Sequence, residues 1–465
     1  MQGNNNMFTS IVVVGASGDL AKKKVIPALF SLFHDRHIAK ENSTVVGYAR
    51  SKMTDDDLRG RIAENLVCRL KQEDQRSCGD IQTEFLNNLH YVSGSYDSAE
   101  DIAALDSKLK ELESGHEKVR RLFYLAIPPS VFTDVAHLVH LHARAKQTVL
   151  VVEKPFGHDL ASFEELNRTL QEDWKESEIY RIDHYLGKEV IQNLIVLRFA
   201  NILFNNTWNR DFIKKVEISF NETIDVKGRG GYFDSYGIVR DVIQNHLIQI
   251  LGLVAMERPL SMESGDIVAE KNKVLRSTTI DPSSVVVAQY EGYTADPTVE
   301  PDSKTPTFSR MTARINNERW AGVPFTLTAG KALDRTQTSI TIHYRSIPGE
   351  PLFNTPCGNT CNRLSIIIQP DERIELRTMN KVPGMGFDAR CSDLNMLYRD
   401  TYKGVHIPEA YERLILDVIE GDQRFFVQSG EARLSWVLFE QTLKEIDDGR
   451  FEVKTYPFGA KEGEI

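Results

Sequence analysis

Three short stretches gather side chains able to do chemistry. Arg181–Glu189 reads RIDHYLGKE and sets Asp183, His184, Tyr185 and Lys188 close together. A histidine, a phenol and an ammonium offer donors with one or two positive charges, a set suited to phosphate. The same residues also suit an ordinary solvated surface. Asp241 and His246 lie on a helical pattern whose apolar stripe is Ile243, Leu247, Ile250 and Val254. A histidine at the edge of such a stripe is either a core residue or, titrating near neutral pH, a general base. Gly15–Ala21 reads GASGDLA, with Gly15, Gly18 and Ala21 in GxxGxxA spacing. Glycine lets backbone approach a phosphate, and a following helix N-terminus supplies N–H groups. Without a ligand the same loop is a tight turn.

These stretches need elements to hold them. Ile11–Val14 is an apolar β-branched run, as expected for a strand buried on both faces, and a helical pattern follows from Leu20 to His34. Thr44–Tyr48, Leu122–Ala126 and Thr148–Val152 read as further strands. Asp55–Leu70 reads as a helix capped by Thr54, with Asp55, Asp56 and Asp57 in its first turn. The alternation predicts a parallel sheet covered by helices. After residue 185 the texture changes. Helices are expected at Lys188–Ala200 and Tyr236–Met256. Strand patterns recur at Lys215–Phe220, Ser284–Tyr290, Thr312–Ile315, Phe325–Ala329, Ser339–His343, Leu364–Ile368 and Glu375–Thr378. The expected fold is α/β plus α+β: a Rossmann dinucleotide-binding domain over 1–183, then a large, mostly antiparallel sheet domain over 184–465 with helices on one face.

The second strand runs into Ala49-Arg50-Ser51, with no carboxylate for ribose hydroxyls. Arg50 offers a guanidinium fork matched to a 2′-phosphate, which favours NADP, although a surface arginine reads the same way. Lys22, Lys23 and Lys24 on the first helix turn would add positive potential, and at least two of them suit solvent alone.

Composition limits the partners. The chain has 465 residues, 56 Lys+Arg and 66 Asp+Glu, giving a formal net charge of −10. An acidic chain is not built to coat nucleic acid or an anionic membrane. No run of about 18 apolar residues suggests a membrane span. MQGNNNMFTS does not read as a secretory signal, nor the final GEI as an organelle address, so a cytoplasmic location is expected. Cys68, Cys78, Cys357, Cys361 and Cys391 are an odd, sparse set that fits a reducing compartment. Cys357 and Cys361 lack further metal ligands nearby. His137, His140 and His142 have helical spacing but no accompanying cysteine or carboxylate cluster, so no metal is expected.

GASGDLA, the GYARS end of the second strand, EKPFG at Glu153–Gly157, RIDHYLGKE, RGGYFD at Arg229–Asp234, RDVIQNH at Arg240–His246, RWAGVPF at Arg319–Phe325 and GKAL at Gly330–Leu333 occur in one order. In that order the chain resembles the glucose-6-phosphate dehydrogenase family from Ile11 to about Tyr456. The resemblance implies NADP-dependent oxidation of glucose 6-phosphate to its lactone, and a homodimer or homotetramer. It implies His246 as base and Asp183 as the carboxylate that orients it. His184, Tyr185 and Lys188 match the phosphate-binding segment. Lys154, in a turn that is cis-proline-like in the family, sits between sugar and nicotinamide. Glu222, Asp241, Lys331 and Gln369 match sugar contacts. Gly15, Ala16, Ser17, Gly18, Asp19, Leu20, Ala21, Lys22 and Arg50 match coenzyme contacts.

Some positions depart from the pattern. Ile367 replaces an arginine common before the substrate-site glutamine, and the segment after GKAL reads Asp334-Arg335-Thr336-Gln337. A basic substrate contact is therefore either lost or shifted to Arg335. Phe132 stands where some members have tyrosine. The structural NADP of some members is not expected here. Two rivals remain: a sugar dehydrogenase of the glucose–fructose oxidoreductase type, centred on Lys154 and needing no phosphate, and a non-catalytic NADP sensor.

Overall fold

The computed structural model describes residues 7–68, 77–349 and 361–465. It divides into two compact units, Met1–Gly187 with Pro408–Ser429, and Lys188–Ile407 with Gly430–Ile465. The boundary expected after Asp183 thus falls after Gly187, and the first unit takes back a segment from far along the chain. The helix Ala410–Glu420 in that segment packs on the helix Ile26–His34 and on the turn His184–Gly187.

The first unit holds a six-stranded parallel sheet in the order β3-β2-β1-β4-β5-β6. The strands are β1 (Phe8–Val14), β2 (Ser43–Ala49), β3 (Leu89–Ser93), β4 (Val119–Leu125), β5 (Gln147–Glu153) and β6 (Ile179–Ile182). β1 and β2 are buried along their whole length, which explains their unbroken apolar and small-residue runs. The order reverses at β1, whose neighbours are β2 and β4, and this switch point is where such sheets bind dinucleotides. Thr54 caps the next helix as expected: its side chain accepts from Asp57 N–H while Asp57 accepts from Thr54 N–H. That helix stops at Ala63, short of the expected Leu70, because the chain tightens through bonds from Asn65 N–H to Ile62 O and Leu66 N–H to Ala63 O. Leu70 itself lies outside the described residues.

The second unit carries a nine-stranded sheet in the order β14-β13-β12-β11-β7-β10-β9-β8-β15. Its strands are β7 (Ile213–Asn221), β8 (Thr278–Tyr290), β9 (Phe308–Ile315), β10 (Pro324–Gly330), β11 (Gln337–Tyr344), β12 (Arg363–Gln369), β13 (Arg373–Lys381), β14 (Ala389–Leu397) and β15 (Val453–Tyr456). All pairs are antiparallel except β7 with β10 and β8 with β15.

The expected helix Tyr236–Met256 is three pieces: Gly230–Ile238, a π-helical stretch Val239–Leu247, and Ile248–Ala255. Gly237 sits at φ 67° and ψ 167°, which breaks the ladder there, and Ile238 N–H donates to Pro306 O instead. Gly230–Ala255 is long and apolar enough to cross a bilayer by composition, yet 89% of its most apolar window is buried inside the protein. Its C-terminal carbonyls are capped in series. Arg198 donates to Leu253 O and Met256 O, each at 2.7 Å, and Trp208 and Trp320 donate to Val254 O and Ala255 O, each at 2.8 Å. All three side chains are fully buried.

Two cysteine pairs among the described residues depart from the expectation of a reducing compartment. Cys68 is bonded to Cys78 (Cα–Cα 5.8 Å) and Cys361 to Cys391 (Cα–Cα 6.1 Å). Folding brings each pair within disulfide reach, which sequence spacing alone does not show. Cys357 lies outside the described residues.

Candidate active site

The candidate coenzyme loop forms at the switch point of the first unit. Gly15 follows β1 directly and takes φ 87°; a Cβ there would lie 2.3 Å from Ala126 O, at the end of β4. Only glycine fits this close crossing. Its N–H and that of Ala16 both turn to Tyr48 O, while Gly18 N–H closes the turn on Gly15 O at 2.9 Å. Ala16 and Ala21 are buried beneath the turn, while Ser17, Gly18 and Asp19 are exposed above it. Leu20 and Lys22 are half-buried on the helix that follows. Lys23 is paired with Asp19 at 2.8 Å and Lys24 with Glu409 at 3.6 Å. Arg50 lies just beyond β2, exposed, with its guanidinium 5.2 Å from the centroid of the Tyr96 ring. A backbone cradle that a Cβ would fill, with an exposed guanidinium one strand away, fits a phosphorylated dinucleotide.

β5 and β6 position the remaining residues of this unit. Lys154 follows β5, half-exposed, and the Lys154–Pro155 bond is cis, as the resemblance implied. Asp183 follows β6 and is buried, at 3% exposure. Its carboxylate accepts from Tyr185 N–H at 2.9 Å, and its carbonyl accepts from Leu186 N–H. These bonds wind His184–Gly187 into a 3-10 turn with Tyr185 buried and His184 half-exposed. The His184 ring stacks on Tyr411, with centroids 6.2 Å apart and planes 9° apart.

Sequence reasoning missed one cluster here. Glu153, the last residue of β5, is buried and accepts from Tyr124 OH at 2.5 Å. Tyr411 OH is its second hydrogen-bond donor. Burial pushes the Glu153 carboxyl up to about 7 against the pull of both tyrosines and of Lys154. Glu153 is visible in the EKPFG motif, but Tyr124 reads as core inside LFYLA.

In the second unit, His246 is 2% exposed on the π-helical stretch, its ring parallel to Phe220 of β7 with centroids 6.3 Å apart. A π turn at this place offsets side chains from the normal helical rows, a feature frequent at functional sites. Asp241 is half-buried one turn earlier, where its charge acts on Tyr232 and Tyr236. Strand register gathers the sugar candidates. Gly330 pairs with Asn221, Gln337 also pairs with Asn221, and Thr338 pairs with Gln369. Glu222, Lys331 and Gln369 therefore share one end of the sheet. Lys331 Nζ lies 2.6 Å from Glu222 Oε2 and 5.4 Å from the Phe233 ring centroid. Lys188 is the N-cap residue of the helix Glu189–Phe199, and its carbonyl receives Ile191 and Gln192 N–H. Arg335 is exposed on the loop before β11, at the same end of the sheet, where Gln337 pairs with Asn221. Ile367 is buried within β12. Phe132 is likewise buried.

A Rossmann sheet with a phosphate cradle at its switch point, in one chain with a sheet domain carrying a buried histidine, defines a dinucleotide-dependent oxidoreductase. Comparison with known proteins narrows the class. Residues 12–193 match the family model described as glucose-6-phosphate dehydrogenase, NAD binding domain, and residues 195–464 match its C-terminal domain. The chain is 48% identical over 468 residues to glucose-6-phosphate 1-dehydrogenase 1, chloroplastic, of Arabidopsis thaliana, covering 97% of this chain and 80% of that protein. It is 48% identical to the cytoplasmic isoform of Solanum tuberosum, covering 97% and 88%. A solved glucose-6-phosphate dehydrogenase in complex with its substrate glucose-6-phosphate superposes with a TM-score of 0.92 at 39% identity, over 99% of this chain and 96% of that one. The enzyme of Mycobacterium avium superposes with a TM-score of 0.84 at 31% identity, over 97% and 94%. The chain belongs to the glucose-6-phosphate dehydrogenase family, and its coenzyme is NADP.

Proposed function

We propose that the chain oxidises D-glucose 6-phosphate to 6-phospho-D-glucono-1,5-lactone, the first step of the oxidative pentose phosphate pathway. The observation that carries this reading is the buried His246 of RDVIQNH in a chain that matches the family along both domains. Bound NADP supplies the hydride acceptor. His246 takes the proton of the anomeric hydroxyl as C1 gives up its hydride, so that the C1–O1 bond becomes the lactone carbonyl. Asp183 holds the imidazole in one tautomer and stabilises the imidazolium that forms. His184, Tyr185 and Lys188 grip the sugar phosphate with charged and phenolic donors. Glu222, Asp241, Lys331 and Gln369 hold the sugar hydroxyls, with Arg335 as a further substrate contact. Lys154 serves sugar and coenzyme together. Gly15 to Lys22 cradle the pyrophosphate, and Arg50 takes the 2′-phosphate.

The partners are small molecules and other copies of this chain, with no role for nucleic acid or membrane. The β13–β14 hairpin exposes Met385, Phe387 and Leu394 at the sheet edge, which supports a homodimer or homotetramer. The relatives include chloroplastic as well as cytoplasmic proteins.

One assay tests the reading against both rivals: NADP reduction with glucose 6-phosphate and with glucose. Turnover of the phosphorylated sugar with little on glucose is expected. Equal turnover of both favours the phosphate-independent sugar dehydrogenase. Coenzyme binding without turnover favours a sensor.

A further inference from the structure

Glu153 is an unusual residue to bury. A carboxyl taken out of water loses several kcal/mol of solvation, and an apolar residue of similar size holds a core together at least as well. This one ends β5 at 8% exposure, and two phenols converge on it: Tyr124 from β4, at 2.5 Å, and Tyr411 from the helix Ala410–Glu420. Tyr411 belongs to the segment Pro408–Ser429 that the first unit takes back from the distal half of the chain. Its other face carries the His184 ring. The approach is close: a Cβ on Gly187, at the end of the His184 turn, would lie 2.5 Å from Ala410 O. The next residue along the chain from Glu153 is Lys154.

We propose that Glu153 is a positioning residue for sugar-phosphate binding: gripped by Tyr124 and Tyr411, it fixes the ring on which His184 stacks and the start of the Lys154 turn. The inference rests on the assignment of His184 and Lys154 to the substrate site. Four groups face the carboxyl: Tyr124 from β4, Tyr411 from its helix, Lys154 from its own turn and Asp183 from the end of β6. With the carboxyl rising to about 7, its ionisation falls in the neutral range. The ionised form accepts from both phenols through charge-assisted bonds and faces a cationic Lys154. The protonated form loses that charge, and the hold on Tyr411 slackens. Substrate affinity through Glu153 is therefore present above about pH 7 and is lost as pH falls below it.

The test is steady-state KM and kcat for glucose 6-phosphate at pH 6 to 9 in wild type, Glu153→Gln and Tyr411→Phe. The glutamine variant is expected to raise KM about tenfold above pH 7, the loss expected for one charged hydrogen-bond partner, with kcat changed by less than about threefold. The ratio of variant to wild-type KM should shrink toward one at pH 6. Because it is a ratio, the substrate's own phosphate titration cancels. Tyr411→Phe should show the same pH-dependent ratio at smaller amplitude, and it answers the question alone should the glutamine variant not fold. A KM ratio of one throughout, or a ratio independent of pH, overturns the inference. Wild type that does not turn over glucose 6-phosphate overturns the proposed function and the inference with it. Normal wild-type turnover with an unmoved KM overturns the inference alone.

Discussion

Lys331 and Glu222 form a half-buried ion pair, 2.6 Å from Nζ to Oε2, at the ends of the parallel strands β10 and β7. The register that pairs Gly330 with Asn221 makes the two side chains neighbours before any substrate arrives. The backbone is tied as well: Glu222 N–H donates to Gly330 O at 2.9 Å, and Tyr456 OH donates to Lys331 O at 2.7 Å. A flexible ammonium is thereby held in one place, which lowers the ordering cost of the sugar contact we propose there.

Lys331→Ala should raise KM for glucose 6-phosphate by about 10- to 100-fold, the range expected for a charged hydrogen-bond donor in a partly buried site. Glu222→Gln should act in the same direction, and the double variant should cost less than the product of the singles because the two residues share one interaction. A KM unmoved in the alanine variant would remove Lys331 from the sugar site.

We propose that Arg50 sets the choice of coenzyme. It is exposed, so it does little for folding, and its guanidinium lies 5.2 Å from the Tyr96 ring centroid, its charge also reaching the Asp97 carboxylate. Arg50→Ala should raise KM for NADP by about tenfold or more and leave KM for NAD within about twofold. Parallel losses for both coenzymes would place the arginine outside the 2′-phosphate site.

Gly15 tests the cradle. At φ 87°, with a Cβ position 2.3 Å from Ala126 O, alanine must push β1 and β4 apart at the switch point. Gly15→Ala should weaken NADP binding, read by quenching of intrinsic fluorescence, and lower the melting temperature. Strain of about 1–3 kcal/mol is the expected scale. Wild-type affinity in that variant would show that the turn does not touch the coenzyme.

The series of donors at the end of the His246 helix is a stability device. Arg198→Met keeps the bulk but leaves the carbonyls of Leu253 and Met256 buried without their donors. Each unmet group costs about 1–3 kcal/mol, so a clear fall in melting temperature is expected in a thermal unfolding scan. An unchanged transition would mean that water or a repacked neighbour replaces the guanidinium.

What the sequence disclosed follows from burial. β1 and β2 are covered on both faces, so their apolar runs are unbroken, and the glycine turn after β1 is recognisable beside them. β14, reading ARCSDLNML, is a half-exposed edge strand whose polar residues hide the pattern, and β15 is only VKTY; neither was anticipated. The return of Pro408–Ser429 to the first unit has no local signature, because it depends on Gly187 meeting Ala410 across a long stretch of sequence. His246 and Asp183 are legible as candidates through their motifs. The Tyr411 side of the Glu153 cluster became visible only once the chain was folded.

The most direct measurement of the central claim is the turnover of His246→Asn with glucose 6-phosphate and NADP, set beside its substrate dissociation constant. Removing the base should lower kcat by about 10²–10⁴-fold, while glucose 6-phosphate still binds within a fewfold of wild type. Near-wild-type kcat in a folded variant would contradict the account, since proton removal would then reside elsewhere.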